Sequence, residues 1–160
     1  MFDRKNLLSI DELSAEDIMT VLTYAKTFEE VNERPIKKVP ALRGKTICNL
    51  FLEPSTRTRG SFELAEKRLS CDTINAGGSA SSTVKGESLV DTVKTLCSYK
   101  IDCIVVRDKH AGAPYIVTQN SPASVICAGD GKHNHPTQAL LDLYTIWEHK
   151  HDFNGLKVGI

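Results

Sequence analysis

The chain has 160 residues, of which 41% are hydrophobic and 25% are charged, a composition typical of one folded globular domain and not of a disordered segment. Its 20 basic and 20 acidic residues give a formal net charge of zero, so no overall field attracts nucleic acid or an anionic membrane surface. No apolar stretch reaches the length of a membrane span, and the first residues lead into no apolar signal-peptide region. We therefore expect a cytoplasmic protein with no nucleic-acid partner and no membrane partner.

Hydrophobic periodicity predicts alternating strands and helices along most of the chain. A first helix is indicated by Ser14, a capping residue, which is followed by acidic residues and by apolar residues at helical spacing until Pro35. Beyond it, short apolar runs typical of buried strands are each followed by a segment of helical spacing. The predicted strands are 46–52, 72–76, 101–106 and 124–128. The predicted helices are one after the arginine run, which carries Phe62, Leu64, Ala65 and Leu69, and further helices in the segment from 87, at 111–120 and at 136–149. This order predicts an α/β fold with a parallel sheet flanked by helices.

The cysteines do not form a metal-binding or disulfide pattern. Their number is odd, they include no CxxC pair, and most lie inside apolar runs, which favours buried free thiols. A zinc site would have to combine distant cysteines with His133, His135 or His149, and a catalytic cysteine is no better supported. We therefore expect neither a metal nor another cofactor. The five cysteines are Cys48, Cys71, Cys97, Cys103 and Cys127.

The segment 54–59 is the most informative one in the sequence. An apolar strand breaks at Pro54 into the run Ser-Thr-Arg-Thr-Arg at 55–59, and helical spacing then resumes. Backbone N–H groups at the N-terminus of a helix have no partner within the helix, and hydroxyl and guanidinium donors would complete a phosphate-binding loop. The alternative is an ordinary helix N-cap with solvated arginines. Five donors in succession after a strand favour the phosphate-binding loop.

Polar clusters follow each of the four predicted strands. They are the segment 54–59, the Gly/Ser-rich loop 77–86, Arg107 at the end of the third strand, and the segment 130–138. Taken singly, each could be a surface residue, a helix cap or a solvated charge. Because the carboxyl ends of parallel strands meet at one edge of a sheet, where ligands bind, their joint placement predicts a single site.

These residue types suit the transfer of an acyl-like group from a phosphate. Arg57, Arg107 and the hydroxyl run can neutralise a leaving phosphate, while His135 can donate to a carbonyl oxygen and polarise it. Ser55 has no histidine and carboxylate in its sequence context that would activate it as a nucleophile, and neither a Walker A loop nor a GxGxxG fingerprint is present. The sequence therefore favours direct attack of an external amine on a bound carbonyl group.

Four segments together resemble the successive signatures of the carbamoyltransferase family. They are the run 55–59 with Ser61, Phe62 and Glu63, the segment 82–88 with Asp91 and Thr92, the pair 106–107, and the segment 135–138 with Leu141 and Asp142. The first and last signatures are shared by the ornithine and aspartate enzymes, whereas the lysine-containing 82–88 loop and Thr137 resemble the aspartate branch. The resemblance covers residues 45–147 and implies the fold of the family's N-terminal, carbamoyl phosphate-binding domain.

The resemblance also implies an activity and a set of site residues. The expected reaction transfers the carbamoyl group of carbamoyl phosphate to the amino group of L-aspartate, which yields N-carbamoyl-L-aspartate and phosphate in pyrimidine biosynthesis. The expected phosphate-binding residues are Ser55, Thr56, Arg57 and Thr58, and Arg107 would contact both the phosphate and the carbonyl oxygen. His135 and Thr58 would polarise that carbonyl, and Gln138 would bind the carbamoyl amino group.

Two further residues are expected to act in a neighbouring subunit. By the same resemblance, Ser82 and Lys85 would reach the active site of an adjacent chain in a homotrimer, with Ser81 and Thr83 as alternatives to Ser82. Lys85 and Arg107 would contact L-aspartate. Regulatory chains or a larger assembly remain open.

The resemblance predicts the domain organisation as well. Residues 1–150 would form the carbamoyl phosphate-binding domain, and residues 151–160, whose last six residues have the pattern of a strand, would begin a second, aspartate-binding domain that is otherwise absent. An isolated first domain cannot close around aspartate or exclude water. Two alternatives are therefore kept: an ornithine-type carbamoyltransferase, and a carbamoyl phosphate-binding fragment without complete catalysis.

Overall fold

The computed structural model describes residues 3–77 and 87–159. Its described elements, after a short 3-10 turn at Ile10–Glu12, are α1 (Ala15–Thr27), α2 (Glu29–Glu33), β1 (Thr46–Phe51), α3 (Arg57–Arg68), β2 (Asp72–Gly77), α4 (Leu89–Cys97), β3 (Cys103–Asp108), α5 (Ala113–Asn120), β4 (Ser124–Asp130) and α6 (Pro136–Lys150). The predicted α/β fold is confirmed.

The four strands form one parallel sheet in the order β2-β1-β3-β4. From β1 the chain passes through α3 to β2 on one side, and it then returns across the sheet to β3 on the other side of β1. The direction of winding therefore reverses between β1 and β3. In open parallel sheets such a reversal leaves a crevice outside the carboxyl ends of the two strands, which is where ligands bind.

Side-chain alternation along the strands creates two cores, one on each face of the sheet. One core takes Cys48 and Leu50 from β1 together with residues of α4 and α5, and Leu50 is fully buried. The other takes Ile47 and Phe51 from β1, with Phe62 of α3 packed against it. Because successive residues of a strand point to opposite faces, the alternate residues of each strand share one core. The α3 face is the one that leads to the crevice.

The N-terminal helical region differs from the prediction. The sequence pattern predicts one helix from Ser14 to Pro35, whereas the structure has two helices separated at Phe28, whose N–H donates back to the carbonyl of Ala25. Ser14 nonetheless caps α1 as predicted, because its side chain accepts from the N–H of Asp17 while the Asp17 carboxylate accepts from the Ser14 N–H.

Several predicted boundaries shift by one or two residues. The third strand begins at Cys103, not at residue 101, and α5 begins at Ala113, not at residue 111; Gly77, predicted to open a loop, is the last residue of β2. Residues 155–159, predicted to begin a strand, form no strand in the structure. The proposed boundary between domains at residue 150 stays a prediction. Within the described residues, no helix is long and apolar enough to cross a membrane.

Candidate functional site

A cleft of about 830 Å³ opens at the carboxyl ends of β1, β3 and β4. It lies where the winding of the sheet reverses, between the start of α3 and the start of α6. Seven residues predicted from sequence for the phosphate and carbonyl groups line it, namely Ser55, Thr56, Arg57, Thr58, Arg107, His135 and Gln138. The other lining residues are Pro54, Ser61, Phe62, Ala65, Thr137 and Leu141. The structure therefore brings these predicted side chains together.

The N-terminus of α3 is left without a side-chain cap. Its N-cap residue, Thr56, makes no capping hydrogen bond, and the first turn contains no acidic residue. By contrast, Ser14 caps α1 and Ser88 caps α4 through their hydroxyl groups. The ordinary N-cap interpretation of the 55–59 run is therefore not what the geometry shows. The unpartnered N–H groups and the positive end of the helix dipole remain available to an anion in the cleft.

Arg107 is held at the back of the cleft by three acceptors. Its Nε donates to Oε1 of Glu53 at 2.6 Å, and its Nη1 donates to the carbonyl oxygen of Ala128 at 3.0 Å and to Oγ1 of Thr58 at 3.4 Å. No described residue accepts a hydrogen bond from its Nη2. The guanidinium is thus fixed in position while one NH₂ group stays free to bind an oxygen of a ligand.

An irregularity in the sheet places Gly129 against Arg107. The pairing of β3 with β4 shifts between Val106 and Asp108, so that β4 contains one extra residue at this point. Gly129 has a φ of +117°, and a Cβ on it would lie 3.0 Å from Nη1 of Arg107 and 3.5 Å from Cδ2 of His135. Bulges of this kind redirect side chains beside active sites. Glycine suits this position because it tolerates the positive φ and because an added Cβ would press on the Arg107 guanidinium.

His135 is the N-cap of α6, and its imidazole takes the place of a capping hydroxyl. Nδ1 accepts a hydrogen bond from the backbone N–H of Gln138 at 3.3 Å. A backbone N–H can only donate, so Nδ1 is unprotonated and the ring proton is on Nε2. Burial, reinforced by the positive charge of Arg107, lowers the pKa of His135 below its ordinary value of 6.5. The ring is therefore a neutral N–H donor near neutral pH.

Gln138, in the first turn of α6, presents an acceptor to the cleft. Its Nε2 donates to Oδ1 of Asp142 at 2.9 Å, one helical turn further on. This bond leaves Oε1 of Gln138 without a donor among the described residues. A free amide oxygen is the group needed to bind an amino group, which agrees with the role that the sequence resemblance implies.

Asp130 organises the loop that carries His135. Its carboxylate is 1% exposed and accepts from the N–H groups of Gly112 and Asn134 and from the ring of His133. Burial acts to raise the pKa of Asp130, but these hydrogen bonds outweigh it, and the pKa is lowered overall. The carboxylate therefore connects the end of β4, the start of α5 and the turn before α6.

Not every predicted residue is seen at the cleft, and two residues that shape its surroundings were not predicted. Ser82 and Lys85 fall outside the described residues, and Arg59 does not line the cleft. Sequence reasoning overlooked Glu53 and Gly129 as individual residues. A carboxylate directly before the 54–59 loop could have drawn attention to Glu53, but only the three-dimensional packing reveals Gly129. Within residues 3–77 and 87–159, no group of three or more His, Cys, Asp or Glu side chains is arranged to hold a metal ion.

A family model described as the carbamoyl phosphate-binding domain of aspartate/ornithine carbamoyltransferase matches residues 5–148. The chain belongs to the aspartate/ornithine carbamoyltransferase family. Two similar curated relatives within this family are both named aspartate carbamoyltransferase catalytic subunit. The one from Carboxydothermus hydrogenoformans is 53% identical over 160 residues, which are 100% of this chain and 51% of the relative. The one from Syntrophobacter fumaroxidans is 54% identical over 159 residues, 99% of this chain and 52% of the relative.

Solved structures of carbamoyltransferases share the fold. The aspartate transcarbamoylase of Trypanosoma cruzi in complex with carbamoyl phosphate and aspartate superposes with a TM-score of 0.87 at 33% identity, covering 94% of this chain and 46% of that one. The catalytic subunit of M. jannaschii aspartate transcarbamoylase gives a TM-score of 0.86 at 42% identity, covering 96% of this chain and 50% of that one. The chain spans about half the length of the curated relatives that it matches.

Proposed function

We propose that this chain is the carbamoyl phosphate-binding half of an aspartate carbamoyltransferase. In this proposal the cleft binds carbamoyl phosphate, and the carbamoyl group passes to the amino group of L-aspartate in cytoplasmic pyrimidine biosynthesis. The names of the relatives favour L-aspartate over L-ornithine as the acceptor. The family membership and the cleft support the donor, because each part of carbamoyl phosphate has a complementary group there.

One observation carries the proposal: four kinds of donor and acceptor meet in one cleft in the arrangement that carbamoyl phosphate requires. The uncapped start of α3, with Ser55 and Arg57, suits a phosphate dianion. The N–H donor of His135 suits the carbonyl oxygen, and Oε1 of Gln138 suits the amino group. Arg107, whose Nη1 donates to Thr58 at the start of α3, would serve both the phosphate and the carbonyl.

The reaction follows from this arrangement. The amine nitrogen of aspartate attacks the carbamoyl carbon, a C–N bond forms, and the bond from that carbon to the phosphate oxygen breaks. The amine loses a proton, and the departing phosphate takes up one proton and leaves as HPO₄²⁻. Negative charge grows on the carbonyl oxygen during the attack, and Nε2 of His135, the hydroxyl of Thr58 and Arg107 would bind it more strongly in the transition state than in the ground state.

The acceptor side of the site is proposed to need more than the described residues. By the family resemblance, Ser82 and Lys85 would enter the site of a neighbouring chain in a homotrimer, and Lys85 together with Arg107 would contact the carboxylates of L-aspartate. A second domain would complete the aspartate site. Under this proposal the 160 residues alone bind the donor but do not complete the transfer efficiently.

The test compares the chain alone with the chain joined after Ile160 to the remaining half of the Carboxydothermus hydrogenoformans relative. Both are assayed for carbamoyl transfer with L-aspartate and L-ornithine as competing acceptors, and both are titrated with inorganic phosphate by calorimetry. We expect phosphate binding by both proteins and N-carbamoyl-L-aspartate from the joined protein. Arg57→Gln should weaken phosphate binding about 10- to 100-fold, as expected for the loss of a charged hydrogen-bond donor.

Arg43, which is exposed and does not line the cleft, provides the matched control, and Arg43→Gln should leave phosphate binding unchanged. Product from L-ornithine would refute the aspartate assignment. Phosphate binding without turnover in either protein would instead support a binding module without catalysis. Equal phosphate binding by the Arg57 and Arg43 variants would remove the proposed phosphate site.

A further inference from the structure

The imidazole of His135 has a second neighbour on its Nδ1 side. The hydroxyl oxygen Oγ1 of Thr137 lies 3.3 Å from Nδ1, the same distance as the backbone nitrogen of Gln138. Thr137 is the second residue of α6 and lines the cleft, and its hydroxyl makes no other hydrogen bond within the described residues. Nothing in the family resemblance or in the relatives' names assigns it a role.

The backbone donor alone holds Nδ1 weakly. The Gln138 N–H is shared, since it also donates to the carbonyl oxygen of His135 at the shorter distance of 3.0 Å. A three-centre bond of this kind, common at helix termini, leaves each acceptor with part of the interaction. The hydroxyl of Thr137 can turn its proton fully toward Nδ1, because an O–H rotates to suit its partner.

We propose that Thr137 is a positioning residue for His135. The N–H of Gln138 sets the tautomer, and the hydroxyl of Thr137 fixes the plane of the ring, so that Nε2–H stays aimed at the carbonyl oxygen of the donor. This inference rests on the proposed function for the identity of that carbonyl, whereas the bond between Thr137 and His135 can be tested without it. Orientation matters because a donor of this kind stabilises the transition state only within hydrogen-bonding reach of the developing charge.

Two other roles for Thr137 predict different results. If its hydroxyl bound the phosphate directly, its loss would weaken phosphate binding. If it served only to stabilise α6, its loss would lower the unfolding temperature without changing the ring of His135. The positioning role predicts a change at the ring and in turnover, with phosphate affinity and stability preserved.

The decisive experiment measures His135 by ¹⁵N NMR in the 160-residue chain, with Thr137→Val, Thr137→Ser and Thr145→Val compared with the original. Valine preserves the shape and removes the hydroxyl, and serine restores the hydroxyl. Thr145 lies on the same helix, and among the described residues its hydroxyl bonds only to the carbonyl of Leu141. We expect Thr137→Val, and neither of the other two variants, to move the Nδ1 resonance toward that of a nitrogen without a hydrogen bond. In Thr137→Ser the resonance should lie at its position in the unchanged chain.

Turnover is measured in the joined protein described above. Thr137→Val should lower kcat about three- to tenfold, the effect of one neutral hydrogen bond, with the Kd for inorganic phosphate unchanged. Thr137→Ser should recover most of kcat. An unmoved Nδ1 resonance in Thr137→Val would overturn the proposal, and so would a loss of phosphate affinity that equals the loss of kcat. If no variant of the joined protein turns over aspartate, the proposed function fails, while the NMR result still decides whether Thr137 holds the ring.

Discussion

Glu53 and Arg107 form an ion pair at the wall of the cleft, with Oε1 of Glu53 2.6 Å from Nε of Arg107. Each side chain is about a quarter exposed, at 25% and 23% respectively. A carboxylate beside a proposed anion-binding site repels the ligand, yet here it accepts from Nε and leaves Nη2 without an acceptor among the described residues. Glu53 therefore orients Arg107 and also partly neutralises its positive charge.

Because Glu53 both orients Arg107 and reduces the local positive charge, two substitutions of Glu53 should give different phosphate affinities. Glu53→Gln keeps an oxygen acceptor for Nε and removes the negative charge, so phosphate should bind about two- to fivefold more tightly, as expected for a partly exposed charge pair. Glu53→Ala removes the acceptor too, so Arg107 loses its orientation and phosphate should bind more weakly than to Glu53→Gln. Calorimetric titration with inorganic phosphate measures both, and identical affinities for the two variants would show that Glu53 does not position Arg107.

Removing the imidazole of His135 should reduce turnover far more than it reduces stability. His135→Ala deletes a donor to the carbonyl oxygen, and kcat in the joined protein should fall about 10²- to 10³-fold. The same change deletes the N-cap of α6, which should lower the free energy of unfolding by about 1 kcal/mol. His149→Ala, in the last turn of the same helix, is the control and should leave kcat unchanged. Near-normal kcat in a folded His135→Ala protein would exclude the proposed role.

The protonation of His135 should depend on Arg107. Burial and then the charge of Arg107 lower the pKa of His135, so the neutral donor should persist at pH values somewhat below 6.5. Between the lowered pKa of His135 in the folded state and its ordinary value of 6.5, the unfolded chain binds more protons than the folded chain does. His135 therefore makes the free energy of unfolding rise with pH in this interval. Arg107→Gln should raise the pKa of His135 without restoring it fully, because burial is the larger cause. An NMR titration of His135 checks this, and a pKa that Arg107→Gln leaves unmoved would contradict it.

A methyl group at Gly129 should disturb the side chain of Arg107. In Gly129→Ala the new Cβ would lie 3.0 Å from Nη1 of Arg107, and the φ of +117° would be strained as well. We expect the free energy of unfolding to fall by about 1–3 kcal/mol and phosphate to bind more weakly. Gly44 has a φ of +80° but no atom within 4 Å of an added Cβ, so Gly44→Ala shows the effect of a positive φ without the contact. Phosphate affinity that falls equally in both variants would show that the contact is unimportant.

Glu66 should make the stability of the fold depend on pH. It is 3% exposed, its Oε2 accepts from Asn49 at 2.9 Å, and neither its Oε1 nor Oδ1 of Asn49 has a donor among the described residues. Burial raises the pKa of Glu66. The folded state therefore holds the proton more tightly than the unfolded chain, and this contribution to stability is present at low pH and is lost as pH rises through the folded pKa.

Glu66→Gln is the corresponding test. The side-chain amide of glutamine has an N–H donor, which a carboxylate lacks, and Oδ1 of Asn49 needs such a donor. The free energy of unfolding should therefore increase near neutral pH and depend less on pH. Urea unfolding from about pH 5 to about pH 8 measures this dependence. Glu63 is the contrasting control, because the hydrogen bond from Lys67 lowers the pKa of Glu63 and its contribution is lost as pH falls. A Glu66→Gln protein with an unchanged pH dependence would show that Glu66 is ionised in the folded state.

The break between strand and helix at 54–59 and the order of strands and helices could be predicted from sequence because they depend on local patterns. The break at Pro54, the run of donors after it and the apolar periods of the strands are properties of neighbouring residues. The prediction that Arg107, His135 and Gln138 share one edge followed from the parallel sheet and was also right. The prediction of a single long N-terminal helix was wrong, because the break at Phe28 has no strong sequence signal such as proline or glycine.

What the sequence by itself determined is the fold class and the family, because these depend on residue types and on their spacing along the chain. The tertiary structure decided how each group is oriented. The reversal of winding between β1 and β3, the extra residue at Gly129 and the ion pair from Glu53 to Arg107 each depend on contacts between residues distant in sequence or on backbone angles. Such contacts follow from packing, and no local pattern encodes them.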